Sequence, residues 1–116
     1  MVLTPVILRN LYAALYSCRP FSTWDMPLPE EIKFVVNSDP ERMGTYMYEP
    51  ESETYCHEIT ISREHHSHLT TVIRTLSHEM IHMRRHKTSR WDQHDAVFRR
   101  YAHQIAQELG FDPLEL

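Results

Sequence analysis

From Leu69 to Lys87 the apolar residues recur at helical spacing, and this constrains the chain more than any other stretch of it. At about 100° per residue from Leu69, the side chains of Val72, Ile73, Leu76, Met80 and Met83 all fall within about 60° of it and make a continuous apolar back. His78 and His82 fall at about 180° and 220°, on the opposite side. A helix that packs by its back while turning two histidines outward lines a cleft. The spacing therefore predicts a helix over 69–87 whose outer face carries chemistry.

The remaining segments suggest how that helix is held. Thr4 followed by Pro5 is a cap and first-turn pair, and Val6, Leu8, Leu11, Leu15 and Tyr16 continue at near-helical spacing, so a first helix is predicted over 5–17. SCRPFSTWDMPLPEE, with three prolines, is a connector. IKFVV (32–36) is rich in β-branched residues and is ended by the turn signal NSDPE, which makes it a strand. MGTYMYEP (43–50) and TYCHEITIS (54–62) flank a polar ESE as the arms of a hairpin. In the second arm Tyr55, His57, Ile59 and Ile61 share one face. A last helix over 95–109 has Val97, Phe98, Ala102, Ile105 and Leu109 as its stripe, with Gly110 and Pro113 as stop signals. The order α, β, β, β, α, α predicts an α+β fold: an N-terminal helix, a small three-stranded sheet, the histidine-bearing helix and a C-terminal helix.

A length of 116 residues predicts a single domain over 1–116. No apolar run approaches the ~18 residues that a membrane span requires, so no membrane partner is expected. The apolar start, MVLTPVILRNLYAALYS, is interrupted by Arg9 and lacks a basic beginning, so it reads as a helix of the mature protein. Two cysteines, Cys18 and Cys56, are too few for a disulfide framework or a four-cysteine zinc ribbon, which points to a reducing, cytoplasmic compartment. The net charge of −4 does not predict nucleic-acid binding by the whole chain. It is unevenly spread, however: residues 39–64 carry seven acids against Arg42 and Arg63, a balance of −5, and residues 84–100 carry six bases against Asp92 and Asp95, a balance of +4. Solvated surface is the plain reading of both, and an anionic partner such as nucleic acid is the other.

The chemistry lies in HEMIH, residues 78–82. Histidines at i and i+4 stand ~6 Å apart along a helix on one face. Their ring nitrogens can converge on one zinc ion at ~2.0–2.1 Å and leave room for a third ligand and a water. Glu79, beside the first histidine, can take a proton from that water and return it to a leaving amine. The reaction so implied is metal-assisted hydrolysis, most naturally of a peptide bond.

His86 cannot join the same ion, because eight residues place it ~12 Å along the axis from His78. The third ligand must come from another segment, and the candidates are His57, the trio His65, His66 and His68, His94, Asp95 and His103. His94 is the first choice, since it opens the last helix after a loop long enough to double back.

These residues resemble the SprT-like metallopeptidases, a group that includes the Spartan proteases acting on DNA–protein crosslinks. The family pattern is H-E-M-[IVA]-H on a helix, then a variable loop, then H-G-x-x-F opening a further helix. HEMIH matches in full, and His94-Asp95-Ala96-Val97-Phe98 matches with Asp in place of Gly. LPEEIKFV, GTYMY and EITIS look like the family's strands, with Gly44 and Tyr46 in its G-x-Y place, so the resemblance runs from about Leu8 to Leu109. It implies a zincin-like fold, a zinc-dependent metalloendopeptidase with one Zn2+ per chain, the ligands His78, His82 and His94, and Glu79 as general base. It also implies a protein or peptide substrate lying along a strand edge, which TYCHEITIS or a neighbouring strand would supply. Asp95 in the glycine position would orient a histidine or replace it as ligand. The cysteine ribbon of many members is absent, so the chain resembles the bare catalytic core.

Two rival functions remain at this point. In one, zinc only staples a small binding or regulatory module. In the other, the basic stretch from Arg84 to Arg100 binds nucleic acid, with or without proteolysis.

Overall fold

A computed structural model describes all residues, 1–116. The first helix, α1, spans Pro5–Tyr16, and the Thr4 side chain caps it by accepting from the Ile7 amide at 3.2 Å. Its inward face is Leu8, Tyr12 and Leu15, whereas Val6, expected in the stripe, is exposed. Tyr12 is fully buried and donates its hydroxyl to the Pro27 carbonyl at 2.6 Å, which ties the proline-rich connector to the helix. The connector is made of short turns and delivers the chain to the sheet.

Strands β1 (Ile32–Asn37), β2 (Gly44–Tyr48) and β3 (His57–Ser62) form a mixed sheet in the order β1-β3-β2. The expected hairpin is present: β2 runs antiparallel to β3, with Gly44 opposite Ile61 and Tyr48 opposite His57. β1 pairs with β3 in parallel, from Ile32 opposite His57 to Asn37 opposite Ser62. The segment TYCHEITIS therefore becomes the central strand and has no free edge, while β2 lies at the edge. His57, Ile59 and Ile61 point into the core as the alternation required, and Tyr55, one step outside the strand, is half-exposed.

Helix α2 spans Leu69–Arg84 and packs against β2 and β3; α3 spans Ala96–Leu109 and packs on α2, while α1 covers β1. The apolar back of α2 is buried from Val72 to Met83, but Leu69 at its first turn is half-exposed. The helix ends three residues before the predicted boundary at Lys87. Past Arg84 the chain is tied back onto the last turn: His86 donates from Nδ1 to the Met83 carbonyl at 2.8 Å and Thr88 donates its hydroxyl to the Arg85 carbonyl at 2.9 Å. Asp95 caps α3 by accepting from the Phe98 amide at 3.0 Å, and Gly110, at φ 81°, ends it in the left-handed conformation that glycine adopts without strain. A short turn, Pro113–Glu115, then folds back against α3. No helix is long and apolar enough to cross a membrane.

Candidate metal centre

One turn of α2 separates His78 from His82, and their Nε2 atoms lie 3.2 Å apart. The loop after α2 brings His94 back so that its Nε2 is 3.2 Å from that of His82. Ring nitrogens of the three histidines all fall within 4.8 Å of one another, a grouping that can hold a metal ion. His82 donates from Nδ1 to the Trp91 carbonyl at 2.7 Å. A carbonyl only accepts, so the proton sits on Nδ1 and the lone pair on Nε2 faces the other two rings. A tetrahedral ion with bonds of ~2.0–2.1 Å holds its ligand nitrogens ~3.3 Å apart, close to the two 3.2 Å distances to His82 Nε2. The donor set, three imidazoles, suits zinc.

Burial and the two neighbouring imidazoles hold His78 down at about 4, and burial lowers His82 too, so both rings are neutral at neutral pH. Phe98 lies beneath all three rings, with centroids 5.0, 5.1 and 4.6 Å from those of His78, His82 and His94. The loop before α3 thus contributes a histidine, and α3 itself the apolar floor under the cluster.

Glu79 is 5% exposed and sits beside a cavity of about 540 Å³ that also touches His78, Thr75, Gly44 and Met43. Burial alone pushes its carboxyl up to about 8. A divalent cation placed at the histidines would draw it back toward the ionised form. Gly44, where β2 begins, is needed for this packing: a Cβ there would lie 3.0 Å from Ile61 Cδ1, 3.1 Å from the Thr60 carbonyl and 3.1 Å from Thr75 Cγ2.

None of the other candidates joins the cluster. Asp95 does not point at the cluster as a ligand would; both its oxygens are held by Arg85, at 2.8 and 2.9 Å. His57 Nδ1 and the Tyr46 hydroxyl are hydrogen-bonded at 2.7 Å, and the His57 ring packs against Tyr48 and His86. His65 donates to the Pro40 carbonyl at 2.8 Å; His66 is buried between the Ser62 carbonyl and the Thr75 hydroxyl; His68 precedes α2 without bonding to it through its side chain. His103 is exposed on α3.

Sequence reasoning missed the supports. Trp91 acts on the site through its carbonyl, and its ring packs edge-on to Tyr46 at 5.7 Å, so a line of contacts runs from His57 through Tyr46 and Trp91 to His82. The aromatic residue in the loop was the available signal; its main-chain role has none.

No curated protein and no solved structure matches the chain significantly. The profile of the SprT-like family matches residues 21–114, which takes in the sheet, α2 with HEMIH, and α3 with His94, and leaves α1 outside. With the match covering most of its length, this chain belongs to the SprT-like family.

Proposed function

We propose that residues 1–116 form one zincin-like catalytic domain, a zinc-dependent metalloendopeptidase in which His78, His82 and His94 hold one Zn2+ and Glu79 is the general base. The observation that carries this reading is the convergence of the Nε2 atoms of His78 and His94 on that of His82, each 3.2 Å from it, with Glu79 beside His78 on α2 and facing a cavity. Bound there, zinc would acidify water and polarise the carbonyl under attack. The protein's own groups do the rest. The Glu79 carboxylate takes a proton from the attacking water at one oxygen and passes it to the departing amine nitrogen. Its buried position keeps that proton from being lost to bulk solvent. The Trp91 carbonyl holds His82 in one tautomer and one orientation throughout. Edge strand β2, whose first residue Gly44 borders the cavity, offers main-chain groups to an extended peptide, the substrate class we assign.

The zinc-staple reading is disfavoured by the donor count, since three histidines cluster beside an open cavity whereas structural zinc sites fill all four positions with protein ligands. A role on DNA-associated proteins draws support from Arg84, Lys87, Arg90 and Arg100, all exposed; Arg85 is committed to Asp95. Cys18 and Cys56 are both unpaired, in keeping with a reducing, cytoplasmic compartment.

The test is zinc content and proteolysis, side by side, for the wild type and Glu79→Gln, on an unfolded protein and on a DNA-bound protein. One zinc in each with cleavage by the wild type alone is the expected result. Cleavage by Glu79→Gln would sink the mechanism, and zinc without cleavage by either would favour the staple.

A further inference from the structure

Strand β2 enters the cavity region at Gly44, and its hydrogen bonding fixes which way that residue faces. The Ser62 amide donates to the Met43 carbonyl at 2.9 Å, so Met43 spends its main-chain groups on β3 and, by the antiparallel alternation, Gly44 turns its own toward the free edge. A Cβ built on Gly44 would meet the Ile61 and Thr75 side chains, so this position of the strand looks toward α2. Residues paired across neighbouring strands put their side chains on the same face. A peptide residue laid opposite Gly44 on the free edge therefore sends its side chain toward α2, into the cavity of about 540 Å³ that borders His78 and Glu79.

The polar groups of the cavity wall are already engaged. The Thr75 hydroxyl is hydrogen-bonded to His66 Nε2 at 2.7 Å, which leaves its methyl group on the Gly44 side. Arg74 donates to Glu115 at 3.0 Å, so the two charges offset each other at the wall. Leu116, which is buried, and Met43, which is half-exposed, supply apolar surface, and the unbranched methionine can move to fit what enters. Glu79 makes no ion pair. An acidic side chain in the cavity would be repelled by its carboxylate, and a basic one would pair with it and take it from the water. Space of this size admits a bulky side chain. Glu115 and Leu116 lie outside residues 21–114, so this part of the wall is not set by the region that the family profile matches.

We infer that this cavity is the specificity pocket for the substrate residue laid opposite Gly44, that it takes a large uncharged side chain such as that of Phe, Leu or Met, and that the Arg74–Glu115 pair disfavours charged side chains by leaving no free charge to receive them. The inference rests on the peptidase reading above and deepens it: substrates are extended segments with a bulky apolar residue beside the bond that is cut, the kind that an unfolded chain exposes.

The experiment gives the zinc-loaded full chain short Ala/Ser peptides with one variable residue, Ala, Leu, Phe, Glu or Lys, and locates the cuts by mass spectrometry. The same peptides, fluorescently labelled, are titrated against Glu79→Gln and followed by anisotropy, so that binding is read without turnover. Cleavage should fall beside Leu or Phe with kcat/KM about 10- to 200-fold above that of the Ala peptide, and the Glu and Lys peptides should do no better than Ala. Arg74→Gln frees Glu115 and should improve the Lys peptide by about two- to five-fold, the scale of a partly exposed ion pair. Glu115→Gln frees Arg74 and should improve the Glu peptide to the same extent. Both shifts should recur in binding when each substitution is combined with Glu79→Gln. Cleavage indifferent to the residue beside the bond, or a preference that neither substitution moves, would overturn the inference and leave the peptidase standing. Should the ion-pair variants fail to fold, Met43→Trp, which fills the cavity from an exposed position, must shift preference from Phe toward Ala, and an unchanged preference would overturn the inference equally. A wild type that cuts no peptide would sink the peptidase reading instead; the order of binding to Glu79→Gln would then decide the pocket, and equal or absent binding across the series would overturn it.

Discussion

Arg85, at the end of α2, grips both carboxylate oxygens of Asp95, at the start of α3, with bonds of 2.8 and 2.9 Å. The pair closes the loop that carries His94, and the Arg85 side chain is only 6% exposed. Asp95 also receives the Phe98 amide, so one carboxylate caps α3 and fixes the residue next to it, His94. The aspartate that departs from the family's usual glycine is therefore a clamp on the third histidine. It explains why Asp95 need not be a ligand to matter.

Replacing Asp95 by Ala should weaken zinc by ~10-fold, the usual range for a group that supports a ligand, and should lower thermal stability. Asp95→Gly, which installs the family's common residue, should do no better, because Arg85 would keep only the Gln93 carbonyl. Wild-type zinc affinity in both variants would show that His94 is placed without the clamp. The Arg85 hydrogen bonds, followed by the Phe98 amide, depress the Asp95 carboxyl to about 2. The sign follows: its contribution is complete above the ordinary 3.8 and is lost only as pH falls through about 2.

Gly44→Ala tests the approach of β2 to α2. The added Cβ meets backbone at Thr60 as well as the Ile61 and Thr75 side chains, so little can move aside. Overpacking of this kind costs about 1–3 kcal/mol, which urea unfolding will register. Because Gly44 and Thr75 both border the cavity, proteolysis should fall by more than the loss of folded protein explains. An alanine variant as stable and active as the wild type would mean that strand and helix can part at no cost.

What the sequence made legible was local. The periodicity of α2, the alternation in β3 and the capping signals at Thr4 and Gly110 each depend on residues within a few positions of one another, and each element formed where that logic placed it. His94 could be chosen because a helix start and a loop length are also local quantities. The insertion of β3 between β1 and β2 and the Arg85–Asp95 clamp depend on packing across the fold. The end of α2 at Arg84 escaped because the signal is a pair of side chains, His86 and Thr88, bonding back to main-chain carbonyls. Tyr12 was passed over because its hydroxyl reads as polar, although the Pro27 carbonyl satisfies it inside the core.

His57 should make stability depend on pH. Burial, and then His86, hold its ring down at about 4 against an ordinary 6.5, and the ring is hydrogen-bonded to the Tyr46 hydroxyl at 2.7 Å. Above 6.5 the ring is neutral in both folded and unfolded chains. Between 6.5 and about 4 only the unfolded chain takes up the proton, so stability falls as pH drops across that window. His57→Gln, whose amide can still hydrogen-bond to Tyr46, should remove up to one proton from the pH slope measured by urea unfolding at pH 7.5 and pH 5. His78 and His82 contribute in the same direction in metal-free protein, so the comparison is between the two slopes. Equal slopes would place the acid sensitivity elsewhere.

Metal linkage separates the three clustered histidines from the rest. An ion that binds only the folded chain stabilises it by about 2.7 kcal/mol at 100 times its Kd, so zinc should raise the wild-type melting temperature and a chelator should reverse the gain. His94→Ala should lose most of this response, since it removes one of the three Nε2 donors. His86→Ala should keep it, although His86 lies on the same stretch of chain, because its ring packs on Tyr48 and His57 and its Nδ1 is spent on the Met83 carbonyl. A zinc response lost in His86→Ala and kept in His94→Ala would move the metal to the His57–His86 side of the sheet and remove Glu79 from its chemistry.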